Sequence, residues 1–86
     1  MAAQSAQVRD GWLEVTCDAH DRAAVYIAVT PVGVTEPAAE DWLPAFRDWD
    51  SDGRRVAKIR PPATGSHLVW LDVDRSRVRL SRPVSL

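Results

Sequence analysis

His67-Leu68-Val69-Trp70-Leu71-Asp72-Val73 is the stretch that decides the fold. Val69, Leu71 and Val73 alternate with Trp70 and Asp72, the period-two pattern of a strand with one face on a core. Upstream, Pro61-Pro62-Ala63-Thr64-Gly65 forbids continuation of whatever precedes it. Downstream, Asp74-Arg75-Ser76 reads as a polar turn into a last strand. In that strand Val78, Leu80, Val84 and Leu86 alternate with Arg77, Arg79, Ser81 and Ser85.

The same pattern recurs towards the N-terminus. Residues 54–60 alternate after Asp48-Trp49-Asp50-Ser51-Asp52-Gly53, whose Asp-Gly pair tolerates the positive φ of a tight turn. Residues 23–30 set Val25, Ile27 and Val29 against Tyr26, Ala28 and Thr30. Residues 12–17 set Leu13, Val15 and Cys17 against Trp12, Glu14 and Thr16. Residues 34–52 are harder to read. Glu36-Pro37-Ala38-Ala39-Glu40-Asp41 suits a loop or one helical turn opened by Pro37. Trp42-Leu43-Pro44-Ala45-Phe46 is apolar but contains a proline, which confines it to an edge strand or a packed loop.

Five clear strands and one or two doubtful ones, with no stripe of period 3.6, predict an all-β sandwich of about 6–7 short antiparallel strands. Residues 1–10 are small, polar and aperiodic and are expected to form a flexible N-terminal arm. Residues 11–86 then form a single domain, the most a chain of 86 residues supports.

Composition bounds the function. Eleven basic and twelve acidic residues leave a net charge of -1, with no electrostatic footprint for nucleic acid. No apolar run reaches the ~20 residues that span a bilayer, and the N-terminus lacks the basic and apolar regions of a signal peptide. A soluble protein made in the cytoplasm is expected. Cys17 is the single cysteine, so no intramolecular disulfide forms, and Cys17 is expected in the core.

Asp48, Asp50 and Asp52 before Gly53 resemble the opening half of a calcium loop, in which alternate carboxylates supply oxygen ligands. The twelfth position is Ile59 rather than a bidentate Glu, and Arg54 and Arg55 repel a cation, so a solvated hairpin turn is the stronger reading. His20 stands near Asp18 and Asp21, while His67 is distant, and nothing in this spacing builds a ligand set or a general base. There is no nucleophile elbow and no glycine-rich phosphate loop. A non-catalytic protein without cofactor is expected.

Interface candidates are Trp42 and Trp49, as large aromatics flanking an irregular segment, and Arg75, Arg77 and Arg79, as a basic edge. The plainer readings are core packing for the tryptophans and, for the arginines, protection of an edge from unwanted strand pairing.

Asp41-Trp42-Leu43-Pro44-Ala45, the strand Arg55-Val56-Ala57-Lys58-Ile59, a proline break, Gly65-Ser66-His67-Leu68-Val69-Trp70-Leu71 and a final Pro83-Val84 strand follow in that order. Over residues 41–84 this resembles small immunoglobulin-like virion structural proteins of tailed phages that infect actinobacteria. Leu68 stands where that family usually has an aromatic, and Asp74-Arg75-Ser76-Arg77 where it commonly has an Asp-x-Pro turn. The resemblance implies an immunoglobulin-like sandwich acting as a capsid decoration, head–tail or tail accessory module. Its partners would be capsid or tail chains, with a homo-oligomer compatible, and its location the host cytoplasm and then the virion. The alternative from another class is a carbohydrate-binding or adhesion domain using exposed tryptophans. A small hydrolase or metal-dependent enzyme is the weakest reading.

Overall fold

The computed structural model describes residues 5–86. Nine strands are present: β1 Ala6–Arg9, β2 Trp12–Thr16, β3 Val25–Pro31, β4 Trp42–Pro44, β5 Phe46–Trp49, β6 Arg55–Ile59, β7 Ser66–Val73, β8 Ser76–Arg79 and β9 Val84–Ser85. They form two antiparallel sheets: sheet I in the order β1-β2-β6-β5, and sheet II in the order β4-β3-β7-β8, with β9 also paired to β7. This is the A-B-E-D and C′-C-F-G arrangement of an immunoglobulin sandwich. No helix among the described residues is long and apolar enough to cross a membrane.

The core lies between the sheets. Leu13, Val15 and Ile59 of sheet I face Ile27, Val69 and Leu71 of sheet II, all buried in one cluster. Burying each such side chain contributes roughly 1.5–3 kcal/mol. Cys17 is buried against the same cluster, as expected of a small apolar residue. The decisive stretch becomes β7, a central strand pairing β3 from Val25↔Val73 to Pro31↔His67.

Three expectations need correction. The arm foreseen over 1–10 is a strand from Ala6 to Arg9, held by the register Ala6↔Val15 to Arg9↔Trp12. The alternation there is weak because only Ala6 packs on the core, and Val8 stays exposed at the margin. Residues 1–4 of that expected arm lie outside the described residues. Second, the continuous last strand is two pieces, β8 and β9, because Pro83 has no N–H for the ladder. Third, the uncertain middle holds two edge strands, β4 and β5, which with β1 and the split last strand raises the count from about 6–7 to nine. The single helical turn there is a 3-10 turn at Ala39–Asp41. It is closed where Ala38 N–H donates to Asp41 Oδ2 at 2.9 Å and Asp41 N–H donates to Ala38 O at 3.0 Å.

Candidate binding cleft

Strand alternation determines what each sheet shows outside. On β3, β4, β7 and β8 the residues out of phase with the core are Tyr26, Trp42, Trp70, Asp72, Arg77 and Arg79. Cross-strand register sets Arg77 opposite Asp72, Asp72 opposite Tyr26, and Tyr26 opposite Pro44. The neighbouring row runs Arg79, Trp70, Ala28, Trp42. Beside the first of these rows, and reaching the β7–β8 turn, a cleft of about 560 Å³ opens. Tyr26, Trp42, Asp72, Asp74, Arg75 and Arg77 line it.

Asp72 organises the cleft. It is 7% exposed, and both carboxylate oxygens are occupied. Arg75 N–H donates to Oδ1 at 2.9 Å, and Arg77 Nε–H donates to Oδ2 at 2.8 Å. A buried carboxylate is tolerated because these donors replace its water. The Arg77 guanidinium carbon then lies 4.7 Å from the centre of the Trp42 ring, an attractive cation–π placement. Asp74 Oδ1 accepts the Ala24 N–H at 2.9 Å, which ties the β7–β8 turn to the start of β3. Trp70 donates its indole N–H to Thr30 Oγ1 at 2.9 Å. The Trp42 indole nitrogen is buried and makes no hydrogen bond among the described residues.

Of the interface residues expected from the sequence, Trp42, Arg75 and Arg77 meet in this cleft. Arg79 is on the same edge strand, beside Arg77's row. Trp49 is elsewhere: it ends β5 on sheet I, 55% exposed, with the Arg55 guanidinium carbon 4.5 Å from its ring centre. Tyr26, Asp72 and Asp74 had not been singled out. A lone carboxylate between Leu71 and Val73, in phase with Trp70, was the available signal for Asp72.

Of the aspartates in the calcium half-loop candidate, Asp48 and Asp50 are engaged by neighbouring donors. Asp48 Oδ2 accepts from Lys58 Nζ at 2.6 Å, and its Oδ1 accepts the Trp49 N–H at 2.8 Å. Lys58's hydrogen bond, then the Trp49 N–H, then Lys58's charge hold the Asp48 carboxyl below its ordinary value. Asp50 Oδ1 accepts the N–H groups of Asp52 and Arg54 at 2.9 and 2.8 Å, an Asx-type turn. Among the described residues no cluster of three metal-ligating side chains exists. His20 accepts the Arg22 N–H on Nδ1 at 3.2 Å, and its Nε2 is 3.8 Å from Asp74 Oδ2, too long for a hydrogen bond. His67 Nδ1 is 3.1 Å from Gly65 O.

An immunoglobulin-type sandwich with an aromatic and arginine-lined cleft on its C′-C-F-G sheet is therefore the class that fold and site define. No family model, curated protein or solved structure matches the chain.

Proposed function

We propose that the chain is a non-catalytic interaction module that docks on another protein chain through the cleft of sheet II. The observation that carries this reading is the cleft's composition. Tyr26, Trp42 and Arg77 are the residue types that dominate binding energy at protein interfaces. The cleft's buried carboxylate is saturated by its neighbours, so Asp72 acts as a positioning group for Arg77 rather than as a reacting one. The resemblance over residues 41–84 supports a virion of a tailed phage as the setting, with capsid or tail chains as partners.

The test is cosedimentation of the purified chain with virions, and with shells lacking it, from tailed phages of actinobacteria. Saturable binding that Trp42→Ala weakens at least roughly tenfold is expected. A chain that stays monomeric at high concentration and binds neither preparation overturns the proposal.

The second reading, a carbohydrate-binding domain, draws on the same cleft, whose rings and charged groups can stack on and hydrogen-bond a sugar. Tryptophan fluorescence quenched and blue-shifted by soluble polysaccharides, and not in Trp42→Ala, would favour it over protein docking.

A further inference from the structure

Among the described residues, two hairpins have two-residue loops whose residues are both left-handed. Asp10 and Gly11 join β1 to β2 with φ of 53° and 79°. Asp74 and Arg75 join β7 to β8 with φ of 48° and 73°. Both have the type I′ signature, for which Asp-Gly is a preferred pair because glycine has no Cβ to clash. The first turn follows that rule and the second breaks it. An arginine in the left-handed region carries a steric cost that glycine at the same place does not. Nothing in the turn itself requires the side chain, since the Asp72 hydrogen bond is made by Arg75's backbone N–H.

The side chain of Arg75 lines the cleft, and the charges around it are unequally spent. Asp72 is saturated by Arg75 N–H and Arg77 Nε–H, and Asp74 accepts from Ala24. Among the described residues Arg75 and Arg79 are in no ion pair, and Arg77 uses only its Nε in one. Arg75 thus keeps its whole guanidinium fork unspent at the cleft, where the only carboxylate oxygen without a hydrogen bond on the two lining aspartates is Asp74 Oδ2.

We propose that Arg75 is the specificity-determining residue of the cleft and binds a carboxylate on an extended acidic segment of the partner protein. This rests on the cleft being the docking site. A guanidinium presents two parallel N–H donors to a carboxylate, a match that a neutral amide on the partner cannot reproduce. Trp42, with Arg77 laid over its ring, supplies the apolar wall beside it.

The probes are a capped pentapeptide, Ala-Glu-Val-Glu-Ala, and its counterpart with both Glu replaced by Gln. Each is titrated into ¹⁵N-labelled protein while the tryptophan indole N–H signals and the amides of residues 72–77 are followed. Wild type is expected to bind the Glu peptide, with shifts at Trp42 and residues 72–77, and the Gln peptide roughly three- to tenfold more weakly. Arg75→Gly is expected to lose that preference for Glu while its Tm rises by about 2–6 °C. Arg75→Lys, which keeps the charge but not the fork, is expected to retain only part of the preference. Equal binding of the two peptides by wild type, no shifts with the Glu peptide, or an unchanged preference in Arg75→Gly each overturns the proposal. A fall in the Tm of Arg75→Gly also overturns it, because the side chain would then be structural. These outcomes leave the docking reading to its own cosedimentation test. Loss of binding in Trp42→Ala with Arg75→Gly unaffected removes Arg75's role and keeps the cleft as the docking site.

Discussion

The two type I′ hairpins make the sharpest comparison inside this molecule. Under the Asp10-Gly11 turn, the cations on the outer face of sheet I are engaged by its own side chains. Arg60 Nη1 donates to Gly11 O at 3.2 Å, and its guanidinium carbon lies 3.8 Å from the Trp12 ring centre. Lys58 adds a second cation 4.6 Å from that ring, and Phe46 meets it edge-on at 5.8 Å. Arg9 pairs with Glu14 at 2.9 Å and Lys58 with Asp48 at 2.6 Å. Under the Asp74-Arg75 turn, the outer face of sheet II keeps an open cleft in which the Arg75 side chain is uncommitted. One turn has the residue that best suits its backbone, and the other has a residue that suits what lies beside it. Departure from local preference is thus concentrated where the surface is unfinished.

The largest expected effect that sharpens this contrast is at Asp72. Asp72→Ala removes the acceptor for both Arg75 N–H and Arg77 Nε–H, and urea unfolding should show a loss of about 2–3 kcal/mol. An equal loss from Glu14→Ala would be no surprise, because Glu14 plays the matching part beneath sheet I, 3% exposed with Arg9 and Gln7 as donors. The cleft should collapse only in Asp72→Ala, visible as loss of the Trp42 indole shift on peptide addition.

Next in size is Gly11→Arg, which imports the second turn's residue into the first. A Cβ there stands 3.0 Å from Arg60 Nη1 in addition to the left-handed penalty, so destabilisation of about 1–2 kcal/mol is expected in the same unfolding assay. The reverse exchange, Arg75→Gly, should stabilise by about 0.5–1 kcal/mol. Additivity of the double exchange would show that the two turns are energetically independent, and non-additivity would break the comparison.

The smallest effect is pH dependence beneath the glycine turn. The folded pKa of Asp48 lies below its unfolded value. Its contribution is therefore fully present above the unfolded pKa, 3.8, and is lost as pH falls through the lower folded value. Lys58→Met should flatten the acid limb of a Tm-against-pH curve below about pH 4, and should leave peptide binding at the cleft unchanged.

How much could be read from the sequence differs along the chain for physical reasons. Strands β2, β3, β6 and β7 alternate cleanly because one face of each is pressed on the core, so Leu13, Ile27, Ile59 and Leu71 announce themselves. Strands β1, β4 and β5 are edges with little buried surface, and the apolar pattern that would mark them is not demanded of them. Trp42, Arg75 and Arg77 were recognisable as unusual, but their meeting depends on the registers of β3 with β4 and β7 and of β7 with β8, which no local pattern encodes. Trp49 carried the same signal as Trp42 and went to the other sheet, because β4 and β5 diverge at Ala45.

The two sheets pack through Leu13, Val15, Ile27, Leu71 and their neighbours, and the sole thiol, Cys17, is buried at the end of β2 with no second cysteine to oxidise onto. Folding therefore calls for no oxidant and no isomerase acting on sulfur. The midpoint of unfolding should be the same in strong reductant as in air, so the protein can be held, assayed and assembled at any redox poise.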